Sequence, residues 1–313
     1  MSVLYILYVM VIGAMILHLT VVSYFKSSAH SALYKRYTAH LIATSFNANA
    51  SPKTTTITTS SRHQRNTLTE AIHLLTIHTY DSQREVIKHI VEDNNLQEHI
   101  FRQLRHASSL KKCRLLTLLS SIILENKTHI PTIKQYLRCN NRNIRSHALI
   151  ALLATTPTEL IPIISSLRFE LQPTDIARII TLIRQGTLCV VIEPLFESNN
   201  RNLQMLALAI VRSFGIDIAD KYILQIIASS QYPSLAEDAI YTLTALKRPL
   251  KYRIIKERLA SASEHRRKKL CRHLSVEGYS IQSIRAILPL EECHDAKLLI
   301  TSYKRQLSQP QTP

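Results

Sequence analysis

Residues 140–152 read NNRNIRSHALIAL, and residues 199–210 read NNRNLQMLALAI. Each stretch opens on two asparagines, whose side-chain oxygens suit the N-cap of a helix. An Ile or Leu (Ile144, Leu203) then begins an apolar face, with a small residue (Ala148, Ala207) four positions on. A third copy, Pro233-Ser234-Leu235-Ala236-Glu237-Asp238-Ala239-Ile240, places Pro at the start, where a helix tolerates it. Aligning the first apolar residues gives Leu110, Ile144, Ile176, Leu203 and Leu235, at steps of 34, 32, 27 and 32 residues. Each step also holds a second helical stretch after a short break, as around 134–138 and 159–167. A period near 30 made of two antiparallel helices predicts an α-solenoid, in which stacking of neighbours creates the core. The alanine at the fifth aligned position marks where adjoining helices approach closely.

Composition agrees with an all-α chain. Gly occurs only 4 times, Pro 11 times and Trp not at all. That balance disfavours sandwiches and barrels, whose many turns need Gly and Pro. A helical bundle without repeats is the alternative architecture.

The stretch Ile144-Arg145-Ser146-His147-Ala148-Leu149 resembles the second helix of a HEAT-type repeat, which commonly runs apolar-Arg-x-x-Ala-Leu. The resemblance covers roughly residues 80–275 and implies about six helix pairs. Arg145 fits the pattern, whereas Gln204 and Ala236 stand at that position in the later copies. What the resemblance implies is architecture; it assigns no functional residue.

Residues 3–25 read VLYILYVMVIGAMILHLTVVSYF and carry no charge. As a helix this run is about 34 Å long, enough to cross a hydrocarbon core of roughly 30 Å. Tyr5 near one end, and Tyr24 and Phe25 at the other, suit the headgroup belts. A cleaved signal peptide is the competing explanation, but the run is long for one and no Lys or Arg precedes it. Lys26, Lys35 and Arg36 follow the run, so the positive-inside tendency places the rest of the chain in the cytoplasm and the N-terminus outside. Five scattered cysteines without CxxC spacing suit reduced thiols in that compartment.

The expected organisation is a transmembrane helix (1–25), a juxtamembrane segment with a Thr/Ser-rich flexible linker (26–66), the HEAT-like solenoid (67–306) and a disordered tail (307–313). Within 26–46, Leu33, Tyr34, Tyr37, Leu41 and Ile42 recur at near-helical spacing and predict an amphipathic helix along the membrane surface.

The formal net charge is +17, which favours an anionic neighbour. It concentrates in Lys247, Arg248, Lys251, Arg253, Lys256, Arg258, Arg266, Arg267, Lys268, Lys269 and Arg272, against Glu257 and Glu264 only. Lys247, Lys251 and Arg258 are expected near one helix face. The segment is either a solvated surface or the candidate anion- or partner-binding site. An anionic membrane surface is its nearest partner, since each nearby cation adds about 1 kcal/mol there. Nucleic acid is the alternative, although Tyr252 is the only aromatic residue offered for stacking.

No GxGxxG, GxxxxGK[ST], HExxH or GxSxG pattern occurs. The 14 histidines are dispersed, and His73 and His78 are five apart rather than the four that share a helical face. No catalytic residue, metal, cofactor or small-molecule substrate is therefore expected. The sequence points to a membrane-anchored scaffold whose helical repeats bind a protein partner, such as another membrane complex. A nucleic-acid-binding module using 247–272 is the second expectation.

Overall fold

The computed structural model describes residues 27–43, 57–78, 84–122, 129–250 and 253–288. Every regular element among them is a helix, in agreement with the all-α class. The apolar run 3–25, Lys251 and the tail 307–313 lie outside the described residues. Among the described residues, no single helix is long and apolar enough to cross a membrane. The chain forms two compact units. The first holds the residues up to Glu159 together with Thr181–Cys189; the second holds Leu160–Ile180 and the residues from Val190 onward.

Among the described residues the first unit holds α1 (helical over 27–43), α2 (Arg62–His78), α3 (Arg84–Asp93), α4 (Leu96–Arg105), α5 (Ser109–Leu119), α6 (Ile130–Tyr136) and α7 (Arg142–Thr155). Helix α1 does not lie free for a membrane surface. Tyr37 and Leu41 are buried, and His30 Nδ1 sits 3.1 Å from Thr67 Oγ1 on α2. Helical spacing of apolar residues shows that a face needs cover; it does not say what supplies the cover.

Part of the Thr/Ser stretch is likewise built into this unit. Ile57 is buried and its carbonyl accepts from Asn94 Nδ2 at 2.7 Å, while Thr59 Oγ1 donates to Asn94 Oδ1 at 2.8 Å. Helix α2 starts at Arg62, inside the stretch expected to be a flexible linker. Ser61 and Gln64 close its first turn as a capping box. Gln64 N donates to Ser61 Oγ at 3.1 Å, and Gln64 Oε1 accepts from Ser61 N at 3.2 Å. Helix α4 packs on α2, α3 and α5, α5 packs on α2 and α7, and α6 packs on α7. Leu104, Leu116, Leu119, Ile133, Leu149 and Leu152 are among the fully buried large side chains of this unit.

The second unit contains α8 (Leu160–Ser165), the start of α9 (Pro173–Arg184), α10 (Glu193–Glu197), α11 (Arg201–Phe214), α12 (Asp220–Ser229), α13 (Pro233–Ala245), α14 (Arg253–Ala260), α15 (Glu264–Val276) and α16 (Ile281–Arg285). Helices α11, α13 and α15 are successive packed neighbours, and so are α10, α12 and α14. The two files are joined by α10 on α11 and α12 on α13.

The asparagines act as the sequence predicts. Asn141 accepts from the N–H groups of Asn143 and Ile144, and Asn200 from those of Asn202 and Leu203. Each bond satisfies a donor that the first helical turn otherwise leaves open. Ala148, Ala207 and Ala239, at the fifth aligned position, are fully buried. Helix α11 ends on Gly215 in the left-handed region (φ 66°), whose N–H reaches Val211 O at 2.9 Å.

Asn202 adds a clamp. Its Oδ1 accepts from Leu171 N at 2.9 Å and its Nδ2 donates to Phe169 O at 2.9 Å, tying α11 to the segment before α9.

The first aligned copy departs from the others. Ile144, Leu203 and Leu235 are buried and Ile176 is half-buried, but Leu110 is 85% exposed. Helix α5 turns Leu115, Leu116, Leu118 and Leu119 inward instead, so its buried face begins more than a turn after Leu110.

Candidate interaction surfaces

The basic segment 247–272 is partly neutralised where it stands, five of its cations facing carboxylates. Lys247 Nζ lies 2.7 Å from Glu277 Oε2, and Arg248 bridges Asp217 and Asp220 at 3.0 and 3.2 Å. Arg266 meets Glu237 at 3.1 Å, Lys268 meets Glu264 at 2.7 Å, and Arg253 meets Glu257 at 2.5 Å. Arg258 and Arg267 donate to the carbonyls of Ser230 and Ala262. Lys256, Lys269 and Arg272 are exposed. Surface pairs of this kind add only about 0–1 kcal/mol each, yet they cancel field that a run of cations would otherwise project. The shared helix face expected of Lys247, Lys251 and Arg258 does not form. Lys247 occupies a left-handed turn after α13 (φ 56°), Lys251 lies outside the described residues, and Arg258 belongs to α14.

Several histidines are spent on joining helices. His147 Nδ1 lies 2.8 Å from Thr117 Oγ1 between α7 and α5. His273 Nε2 lies 2.9 Å from Thr244 Oγ1 between α15 and α13, and His73 Nδ1 meets Ser121 Oγ. Among the described residues, no three His, Cys, Asp or Glu side chains converge as a metal site.

Burial pushes the pKa of His73 down, with Glu70 opposing it, and burial likewise lowers His273 against the opposing Glu277. His99 is lowered by burial first, then by Arg65, Arg62, Arg102 and Lys111. All three rings are thus held neutral in the fold, whereas in the unfolded chain they take a proton near the ordinary pKa of about 6.5. The stability tied to them is fully present above that range and is lost as pH falls through it towards the lowered folded values. The melting midpoint should accordingly fall between pH 7.5 and pH 5. A His73→Asn, His273→Gln double variant, which keeps a hydrogen-bonding atom at each position, should show a smaller fall. An equal fall would remove these rings from the explanation.

Each unit carries a groove. In the second unit, α9, α11 and α13 enclose about 390 Å³. Its charges close on one another: Arg201 reaches Glu170 Oε2 and Ser234 Oγ at 2.9 Å each and lies 4.9 Å from the Tyr232 ring, and Arg212 pairs with Asp238 at 2.9 Å.

In the first unit, a larger groove of about 700 Å³ runs between α2, α4, α5 and α7. Ile100, Leu115 and Leu118 form its apolar floor and Leu110 stands exposed within it. The rim carries the Glu70–Arg114 pair at 2.5 Å, the Lys111 ammonium and Asn66.

A second cavity in this unit, of about 420 Å³, shares Gln103, Ser108 and Lys111 with that groove. Its remaining walls are basic: Arg62 and Arg65 from α2, and Arg102 with His99 from α4. Sequence reasoning missed this concentration, because its cations come from three helices and form no run in the chain. Compared with known proteins, the chain matches no family model, no curated protein and no solved structure.

Proposed function

We propose that the chain is a membrane-tethered α-solenoid scaffold that holds a segment of a protein partner in the groove between α2, α4, α5 and α7. The observation that carries this reading is Leu110. It occupies a position at which three of the other four copies bury an apolar side chain and the fourth, Ile176, half-buries one, yet it is 85% exposed above an apolar floor. Water gains nothing from such an arrangement; a partner side chain seated there gains burial. Lys111 on the rim faces no carboxylate among the described residues, so the segment that fits is amphipathic, with an acidic residue beside its apolar anchor.

The two files of successive helices in the second unit and the asparagine-capped copies support the solenoid reading. The charge-free run 3–25, followed at once by Lys26, supports a membrane span with the units on the cytoplasmic side. Nothing in this reading calls for catalysis or a cofactor. The nucleic-acid alternative through 247–272 is weaker, because five of those cations already face carboxylates.

Leu110→Asp tests the groove. Burying a leucine is worth about 1.5–3 kcal/mol, so the variant should retain a wild-type partner roughly ten- to a hundredfold less well. The comparison is made on the full chain in mild detergent, with melting midpoints unchanged. Identical recovery of every co-purifying protein by both forms would defeat the proposal.

A further inference from the structure

The basic cavity of the first unit, which adjoins the groove through Gln103, Ser108 and Lys111, has the makings of a ligand site of its own. Arg62, Arg65, Arg102 and Lys111 line it together with His99 and His106, and no carboxylate and no aromatic carbocycle does. Glu98 pairs with Arg102 at 3.5 Å from outside the lining, which leaves Arg62, Arg65 and Lys111 without an acidic partner among the described residues. The charges acting on buried His99 are all positive and come from these same four residues, so their fields meet inside the cavity.

Two lining side chains are held in place from behind: Asn66 Oδ1 accepts from Gln103 Nε2 at 2.8 Å and lies 2.9 Å from His99 Nε2. The N-terminus of α5 adds to the same wall. Ser108 makes no side-chain capping bond, the first turn holds no acidic residue, and Lys111 stands in it. Open N–H groups and the helix dipole favour an anion there, and converging guanidinium forks match phosphate oxygens in particular.

We propose that this cavity binds a phosphate-bearing anion, supplied in the tethered chain by the headgroup of an acidic lipid. The choice of lipid as source rests on the membrane reading of residues 3–25. His30, on α1, stands five residues after Phe25 in the chain. Its ring lies 5.4 Å from that of His63, between Arg62 and Arg65 on α2. Helix α2 therefore packs beside a residue that is close in the chain to the apolar run. With no Phe, Tyr or Trp for stacking, the lining suits a phosphate better than a nucleic-acid strand.

Native mass spectrometry of the full chain in neutral detergent tests this, with phosphatidic acid and phosphatidylcholine added as competing lipids. Phosphatidic acid should be retained by the wild type in preference to phosphatidylcholine. Retention should fall roughly tenfold or more in Arg62→Gln/Arg65→Gln, as expected for lost charge-assisted bonds, and stay unchanged in Lys256→Gln/Lys269→Gln. Titration with tripolyphosphate forms the soluble arm. Binding there that depends on Arg62 and Arg65, with phosphatidic acid ignored, keeps the phosphate site and moves its source into solution.

Binding of neither anion overturns the proposal, as does equal loss in both double variants. Preference for a single-stranded oligonucleotide through the same arginines also overturns it. Alkaline carbonate extraction of membranes tests the tether by itself. A chain released by carbonate that still binds tripolyphosphate loses its anchor and keeps its cavity.

Discussion

Leu203→Ala should destabilise the second unit by about 2–5 kcal/mol, while Leu110→Ala should change stability by no more than about 0.5 kcal/mol. The two leucines align in sequence, yet Leu203 has no exposed surface and Leu110 is 85% exposed. Removing Leu203 deletes buried methyl groups from α11, which packs on α8, α10 and α13 and has little room to collapse. Removing Leu110 deletes atoms already in contact with water. Urea unfolding of both variants measures the contrast. Comparable losses would mean that α5 buries Leu110 after all, and the groove would lose its anchor.

Asn202→Ala should be the next most damaging change. Its side chain is buried and satisfies the Leu171 N–H and the Phe169 carbonyl together. Truncation removes one hydrogen bond from each group, at about 1–3 kcal/mol for each that stays dry and unsatisfied. The aligned Asn143 on α7 is exposed, so Asn143→Ala should fall within about 0.5 kcal/mol of the wild type. Hydrogen exchange at the Leu171 amide gives a local check: it should quicken in Asn202→Ala and stay slow in Asn143→Ala.

These paired predictions mark where the sequence was legible. The N-caps Asn141 and Asn200 were readable because capping is local: the oxygen and the amides that it serves lie within three residues. The buried alanines 148, 207 and 239 were readable for the same reason, since periodicity along one helix assigns its inner face. The register of α5 was not. Its leucine run, Leu115 to Leu119, offers more than one apolar face, and only packing against α2 and α7 selects one. The capping box of Ser61 and Gln64 was present as a pattern but hidden in a Thr/Ser stretch that resembles a linker.

The candidate sites were less legible still. The 247–272 segment stands out as a run of cations, but most of the carboxylates that quench it lie outside the run: Asp217, Asp220, Glu237 and Glu277. The basic cavity has the opposite history, with cations from α2, α4 and α5 that are dispersed in the chain and brought together only by folding. A charge run and a charge site are different things, because field depends on distance in space and on nearby counter-charge.

Whether the groove around Leu110 is where a partner sits is open to one direct measurement. A photo-crosslinking residue placed at Leu110 in the full chain, in its native membrane, should give a discrete crosslinked protein. The same residue at Ile218, which is equally apolar and 74% exposed in the second unit, should not give that product. Crosslinks of the same identity and yield from both positions, or none from Leu110, would contradict a partner seated in the groove.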